Sequence, residues 1–209
     1  MFSLQTIFGK GDKFYGLLEA SADAARQSTR ALIALLNAPV STRSLDEFRV
    51  ARRREKDLFA QTGQALVDTF VTALEREDIE ELAGALYKIP KTVEKFAERY
   101  VLFADRLADV DFVSRAAMLE KAADVIVQMT SQLRKGPRLD VMRDLNERMQ
   151  SIESEADRLI LDLYRDLFTD ERDPSKLLLR KDLFELLEKA IDRCRDAGNV
   201  IFQIALKNS

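Results

Sequence analysis

The chain has 209 residues, 46% hydrophobic and 33% charged, with a formal net charge of -3, a balance that supports a packed core and argues against disorder. The sequence pI of about 5.3 argues against a nucleic-acid binder, which usually carries a basic surplus. Histidine is absent and Cys194 is the single cysteine, which excludes His-based catalytic dyads, His-ligated metal sites, zinc-finger spacings and an internal disulfide.

Seven glycines and four prolines are too few for an all-β chain with its many turns. The opening stretch from Met1 to Phe8 is apolar but too short for a signal-peptide core, and no charged segment precedes it. No run approaches the 18 apolar residues that would read as a membrane span. These features predict a protein of the cytoplasm with no direct membrane insertion.

Apolar residues recur at helical spacing almost throughout, so the fold class is all-α. A first helix is predicted over about 13–37, ending before Pro39. After a polar link at 41–44, a second runs over about 45–71. The third covers about 78–106, with Pro90 inside it as an expected kink, since proline removes an amide donor and crowds the preceding turn. Residues 107–113 read as a loop and Ser114 as an N-cap. The fourth helix ends at Gly136-Pro137, in keeping with the glycine preference just past a helix C-terminus. The fifth covers about 139–168. Asp170-Glu171-Arg172-Asp173 forms a turn, and Pro174 suits the first position of a sixth helix over about 175–206. The order predicts two tandem three-helix bundles with long antiparallel helices, 1–108 and 109–209, together one compact unit. A single continuous bundle is the alternative.

The two long hairpins carry opposite charges. In the second, Glu153 and Asp157 lie four apart on one helix, and Glu188, Asp192 and Asp196 lie four apart on the next. A turn centred near residue 172 puts Asp157 opposite residue 187 and Glu153 opposite residue 191, so the acids share one groove. Glu153 and Asp157 flank the apolar stripe Ile152, Ala156, Leu159, Leu163. Glu188 flanks the stripe Leu183, Leu187, Ala190, Ile191, Cys194, Ala197, Ile201, and Asp192 and Asp196 lie beyond it, which places all five outside the core. Asp192 has Lys189 and Arg195 within one turn, and Asp196 has Arg193. Glu153, Asp157 and Glu188 have no base at helical spacing. Like charges four apart repel by a few tenths of a kcal/mol, roughly, per pair, and a bound cation would offset that. An all-oxygen donor set favours Mg²⁺, Ca²⁺, Mn²⁺ or iron. A buried di-iron centre of the Glu-x-x-His kind is excluded for want of histidine. A solvated acidic face is the competing reading.

In the first hairpin the matching heights are basic. Arg49, Arg52, Arg53 and Lys56 form a strip on the second helix, and Lys88, Lys91 and Lys95 one on the third. A turn centred near residue 73 sets residue 52 opposite residue 94 and residue 56 opposite residue 90. Converging cations suit an anion or an acidic partner. Glu47, Glu55, Asp57, Glu94 and Glu98 lie close by, and a solvated face is again the alternative.

At these residues the chain resembles the PhoU-like proteins that accompany Pit-type phosphate transporters, described as phosphate transport regulators. The resemblance spans nearly the whole chain. It rests on Asp68-Thr69-Phe70-Val71-Thr72 leading to Glu75-Arg76-Glu77-Asp78-Ile79, then Ile152-Glu153-Ser154-Glu155-Ala156-Asp157, Asp166-Leu167-Phe168, and Leu187-Glu188-Lys189-Ala190-Ile191-Asp192-Arg193-Cys194. Ala73 and Glu75 stand where the family's turn has a proline and an aspartate. The resemblance implies two three-helix bundles, each with a pair of acidic motifs that can hold metal ions. Glu153, Asp157, Glu188, Asp192 and Asp196 match those motifs. Arg52, Lys56, Lys88 and Lys91 replace acids, and so does Arg195, which implies one candidate cation site in place of two. The expected role is a non-enzymatic regulator of inorganic phosphate transport, peripheral at the inner face of the membrane through its transporter. A structural helical adaptor, or a homo-oligomer with no metal or phosphate role, is the alternative.

Overall fold

The computed structural model describes residues 4–107, 109–170 and 173–208. Its helices are α1 (Leu4–Asn37), α2 (Asp46–Asp68), α3 (Arg76–Phe103), α4 (Val113–Arg134), α5 (Leu139–Asp170) and α6 (Pro174–Lys207), with short 3₁₀ turns at Val40–Thr42 and Ala104–Arg106. No strand occurs among the described residues, and the all-α expectation holds. The predicted turn residues Glu171 and Arg172 lie outside the described residues, as do Met1 to Ser3 of the apolar opening stretch.

Local chemistry explains where the boundaries depart from expectation. α2 stops at Asp68, three residues before the predicted end, and Thr69 is extended (φ -115°, ψ 119°). Arg76 reaches back from the start of α3. Its guanidinium donates to the carbonyls of Leu66 (2.5 Å) and Thr69 (2.8 Å), satisfying acceptors that the ended helix leaves open. The Thr72 hydroxyl donates to the Leu74 carbonyl at 2.6 Å and tightens the same turn. Ser114 is not the cap of α4. The helix starts one residue earlier, and Asp111 accepts from the Ser114 amide at 3.1 Å and from its hydroxyl at 2.5 Å. α3 runs through Pro90, which is buried. After α4, Gly136 adopts φ +82°, the left-handed conformation glycine takes at little cost. Asp173 caps α6 by accepting from the Ser175 amide at 2.9 Å, with Pro174 at the first helical position.

α1, α2 and α3 pack on one another, as do α4, α5 and α6, and the sets join through α1 on α4 and α3 on α6. One continuous core runs through all six helices. Alanines without exposed surface at 22, 25, 116, 122 and 197 keep the facing helix surfaces narrow enough for close approach. Phe112 is the hub between the sets. Its ring meets Phe96 (5.4 Å, edge-on) and Tyr100 (5.7 Å, edge-on) of α3 and Phe184 (5.0 Å) of α6. Ion pairs cross the same boundary: Arg30 with Glu120 at 2.9 Å, Arg134 with Glu19 at 2.7 Å, and Arg99 with Asp182. Exposed pairs of this kind contribute about 0–1 kcal/mol each. Burying one large apolar side chain is worth about 1.5–3 kcal/mol, so the apolar core, more than the ion pairs, holds the halves together.

Candidate functional site

The acidic groove lies between α5 and α6. Ile152 and Ala156 on α5, and Leu187, Ala190, Ile191 and Cys194 on α6, are buried as the apolar stripes required. Glu153, Asp157, Glu188, Asp192 and Asp196 flank them and are all half-exposed, outside the core as expected. Their charges act on one another. Glu188 is held above the usual carboxylate range by desolvation and then by Asp192, Asp157, Glu185 and Glu153. Asp192 is also raised, mainly by desolvation, with Asp157, Asp196 and Glu153 adding to it and Arg195 opposing.

Arg195 takes the cation position at one corner of this groove. Its guanidinium pairs with Glu153 across the hairpin, and with Asp192 and Asp196 at 3.3 Å each on its own helix. Asp196 also accepts from Arg193 at 3.1 Å. Glu153, which has no base at helical spacing, therefore has one across the interface. The reason is side-chain direction. A helical side chain leans toward its own N-terminus, so the head of Arg195 falls back to the height of residues 191–192, the height opposite Glu153. Asp157 and Glu188 have no ion-pair partner among the described residues. Nor, among those residues, do any three carboxylates stand close enough to hold a metal ion. As placed, the groove does not fit a metal cage, because three of its five acids are engaged by a guanidinium. Next to it the Tyr164 hydroxyl donates to Glu185 at 2.9 Å. Desolvation, with Glu185 and Glu188, pushes the Tyr164 pKa up to about 12, which keeps that phenol a proton donor.

The basic face separates into two roles. Arg52 is turned inward and buried. It donates from Nε to Glu94 (3.1 Å) and from Nη2 to the Tyr87 hydroxyl (3.1 Å), and its guanidinium lies 4.7 Å from the Tyr87 ring centroid. This is the 52-opposite-94 register of the hairpin. Its charge is spent on α3. Glu94 is nonetheless raised, chiefly by desolvation and also by Glu98. Arg49 pairs with Asp46 at 3.2 Å, both exposed. Arg53, Lys56, Lys88 and Lys91 are exposed. Lys56 and Lys91 lie near Tyr87. Together with the Arg52 hydrogen bond, which dominates, they draw its hydroxyl below the usual tyrosine range.

Glu55 is a residue that sequence reasoning treated only as a neighbour of the basic strip. It is wholly buried, and neither carboxyl oxygen has a hydrogen bond to satisfy it. The Ser21 side chain of α1 and the charges of Arg52 and Arg54 favour ionisation, but desolvation outweighs them and lifts the pKa to about 7. A signal was present. Phe48, Arg52, Glu55, Leu58 and Thr62 recur at three- and four-residue spacing, which puts Glu55 on the buried face of α2.

No family model matches the chain. Two curated relatives do. One, the Bacillus subtilis (strain 168) protein named "UPF0111 protein YkaA", is 26% identical over 140 residues, 67% of this chain and 68% of the relative. The other, a Rhizobium meliloti (strain 1021) protein named "Putative pit accessory protein", is 23% identical over 201 residues, 94% of each chain. Two crystal structures from Shewanella oneidensis MR-1, one titled a PhoU-like protein and one "a putative PhoU-like phosphate regulatory protein", superpose with a TM-score of 0.78 at 18% identity, over 93% of this chain and 99% of theirs. The six helices and their packing agree with these likenesses: the chain has the all-α fold of the two PhoU-like structures.

Proposed function

We propose that this protein is a non-enzymatic, cytoplasmic accessory of inorganic phosphate transport that acts by contact with a membrane transporter of the Pit type. The observation that carries this reading is the relative named as a pit accessory protein, which aligns along 94% of both chains. The PhoU-like fold supports it. No helix among the described residues is long and apolar enough to cross a membrane, so contact with the bilayer would come through the partner. The one thiol, Cys194, is buried, and desolvation pushes its pKa up, the opposite of an activated nucleophile. The test is retention of the protein on nanodiscs that carry the Pit-type permease of the same organism. Specific retention is expected, and binding equal to empty nanodiscs would defeat the reading.

A divalent cation or iron in the acidic groove is a finer proposal. Asp157 and Glu188 carry unscreened like charge, and a cation there would also need Glu153 released from Arg195. With Arg195→Ala freeing Glu153, elemental analysis of protein purified without chelator is expected to show metal that falls when Glu153→Gln/Asp157→Asn is added. Unchanged metal content would reject the site. On the basic face Lys56 and Lys91 lie near Tyr87 with no ion-pair partner among the described residues, while Arg52 is committed to Glu94. Lys56→Glu/Lys91→Glu is expected to weaken inorganic phosphate or polyphosphate binding without loss of helicity, and equal affinity would reject anion binding there.

A further inference from the structure

The tip of the α2–α3 hairpin exposes apolar surface that none of the described residues covers. Phe70 is 99% exposed, Val67 79% and Val71 60%. An aromatic ring left almost wholly in water at a turn gives nothing to folding, and clustered exposed apolar residues mark interaction surfaces. A groove between α2 and α3, lined by Phe59, Leu66, Val67, Arg76 and Glu80, leads up to it.

The surroundings of this tip are acidic. Between Val67 and Glu81 there are six acids, Asp68, Glu75, Glu77, Asp78, Glu80 and Glu81, and one base, Arg76. Arg76 makes no ion pair with them among the described residues; its guanidinium is turned onto the carbonyls of Leu66 and Thr69. Lys207 of α6 pairs with Glu75 and Asp78 at 2.8 Å each. Glu77, Glu80 and Glu81 have no basic partner among the described residues. Six of the chain's 36 acids thus fall in the same short segment, 67–81, as these three apolar side chains, and Glu80 lines the groove beside Val67.

We infer that this tip is the docking surface for a basic, partly apolar cytoplasmic loop of a membrane protein. The inference rests on the accessory reading above and specifies which surface makes the contact. Cytoplasmic loops of membrane proteins are enriched in Lys and Arg, which complements the acidic ring. Phe70 is the apolar anchor, of the kind that dominates interface energetics when it enters a pocket. The lipid itself is the wrong partner, since the anionic inner leaflet repels an acidic tip and attracts basic segments.

The test places a photo-crosslinking phenylalanine analogue at position 70 or, at the opposite end of the bundle, at the exposed position 178, in the full chain bound to Pit-type permease nanodiscs. Position 70 is expected to capture a permease loop whose crosslinked peptide is Lys/Arg-rich. A Phe70→Ser/Val71→Ser variant and a Glu77→Lys/Glu80→Lys variant, all at exposed positions, are expected to keep their helicity and to bind about tenfold more weakly. Capture from 178 but not 70 would overturn this surface and leave the accessory reading standing. Crosslinked dimers of this chain through position 70, or tip-dependent binding to permease-free phosphatidylserine vesicles, would also overturn it. If the unmodified chain binds no permease, the accessory reading fails and this surface fails with it.

Discussion

Replacing Phe112 by alanine is expected to destabilise the protein by about 3–5 kcal/mol, the range for removing a large aromatic from a packed core. Phe112 is 1% exposed and sits between Phe96 and Tyr100 of α3 and Phe184 of α6. Its ring therefore belongs to neither half alone. Aromatic pairs in such geometry add about 0.5–1.5 kcal/mol beyond their buried area, so the cost should fall at the high end. Because one core runs through all six helices, the loss should appear as a single cooperative urea transition moved to lower midpoint, with both halves unfolding together. Circular dichroism at 222 nm is the readout. A loss below about 1 kcal/mol, or a split into two transitions with only one moved, would contradict the shared core.

The second large effect is electrostatic. Glu55 has a folded-state pKa of about 7 against an ordinary 4.5. The folded chain therefore holds this proton more tightly than the unfolded chain. Below the ordinary glutamate range the group is neutral in both states and costs nothing through its charge. As pH rises from about 4.5 to 7, unfolding releases the proton and folding keeps it, so stability falls with pH across that window. Above 7 the full cost is in place. At about 1.4 kcal/mol per pKa unit this amounts to roughly 3 kcal/mol. Glu55→Gln keeps the shape and removes the titration. The stability difference between variant and native protein, measured by urea titration at pH 5 and pH 8, is expected to shift by roughly that amount in favour of the variant at pH 8. Parallel pH curves would show that Glu55 is not buried as a strained charge.

Helix positions and the burial pattern were legible in the sequence because both rest on period and on local breakers. Pro174, Gly136 and the apolar stripe of α6 each act through one or two turns of chain. What escaped was tertiary reach. Arg195 looked like a helix partner of Asp192, and only the lean of its side chain brings it across to Glu153. Arg52 read as one of a row of exposed cations. The Tyr87 ring and Glu94 lie on another helix, and nothing in the row itself says which arginine turns inward. Ser114 has good capping chemistry, but Asp111 reaches its amide first. In each case spacing along one helix was right and the deciding partner stood on another segment.

These placements also change what the charge contrast between the hairpins means. The acidic hairpin carries its own cation in Arg195, and the basic hairpin carries its own anion in Glu94. Each cluster is thus partly neutralised from within. A further acidic stretch, with Glu77, Glu80 and Glu81 unpaired among the described residues, follows the exposed Phe70 at the α2–α3 tip. For the transporter contact proposed above, that tip is the surface to test.

The proposal tested most directly is that this chain, with its PhoU-like fold, binds a phosphate permease. The most direct measurement is titration of the purified full chain against Pit-type permease nanodiscs by surface-immobilised binding, with empty nanodiscs as reference, with and without Mg²⁺ or Mn²⁺. Saturable binding in the micromolar range or tighter, about -8 kcal/mol or more favourable, is the predicted result, together with weakening by added salt, since the proposed contact pairs opposite charges. A signal indistinguishable from empty nanodiscs under every cation condition would contradict the account.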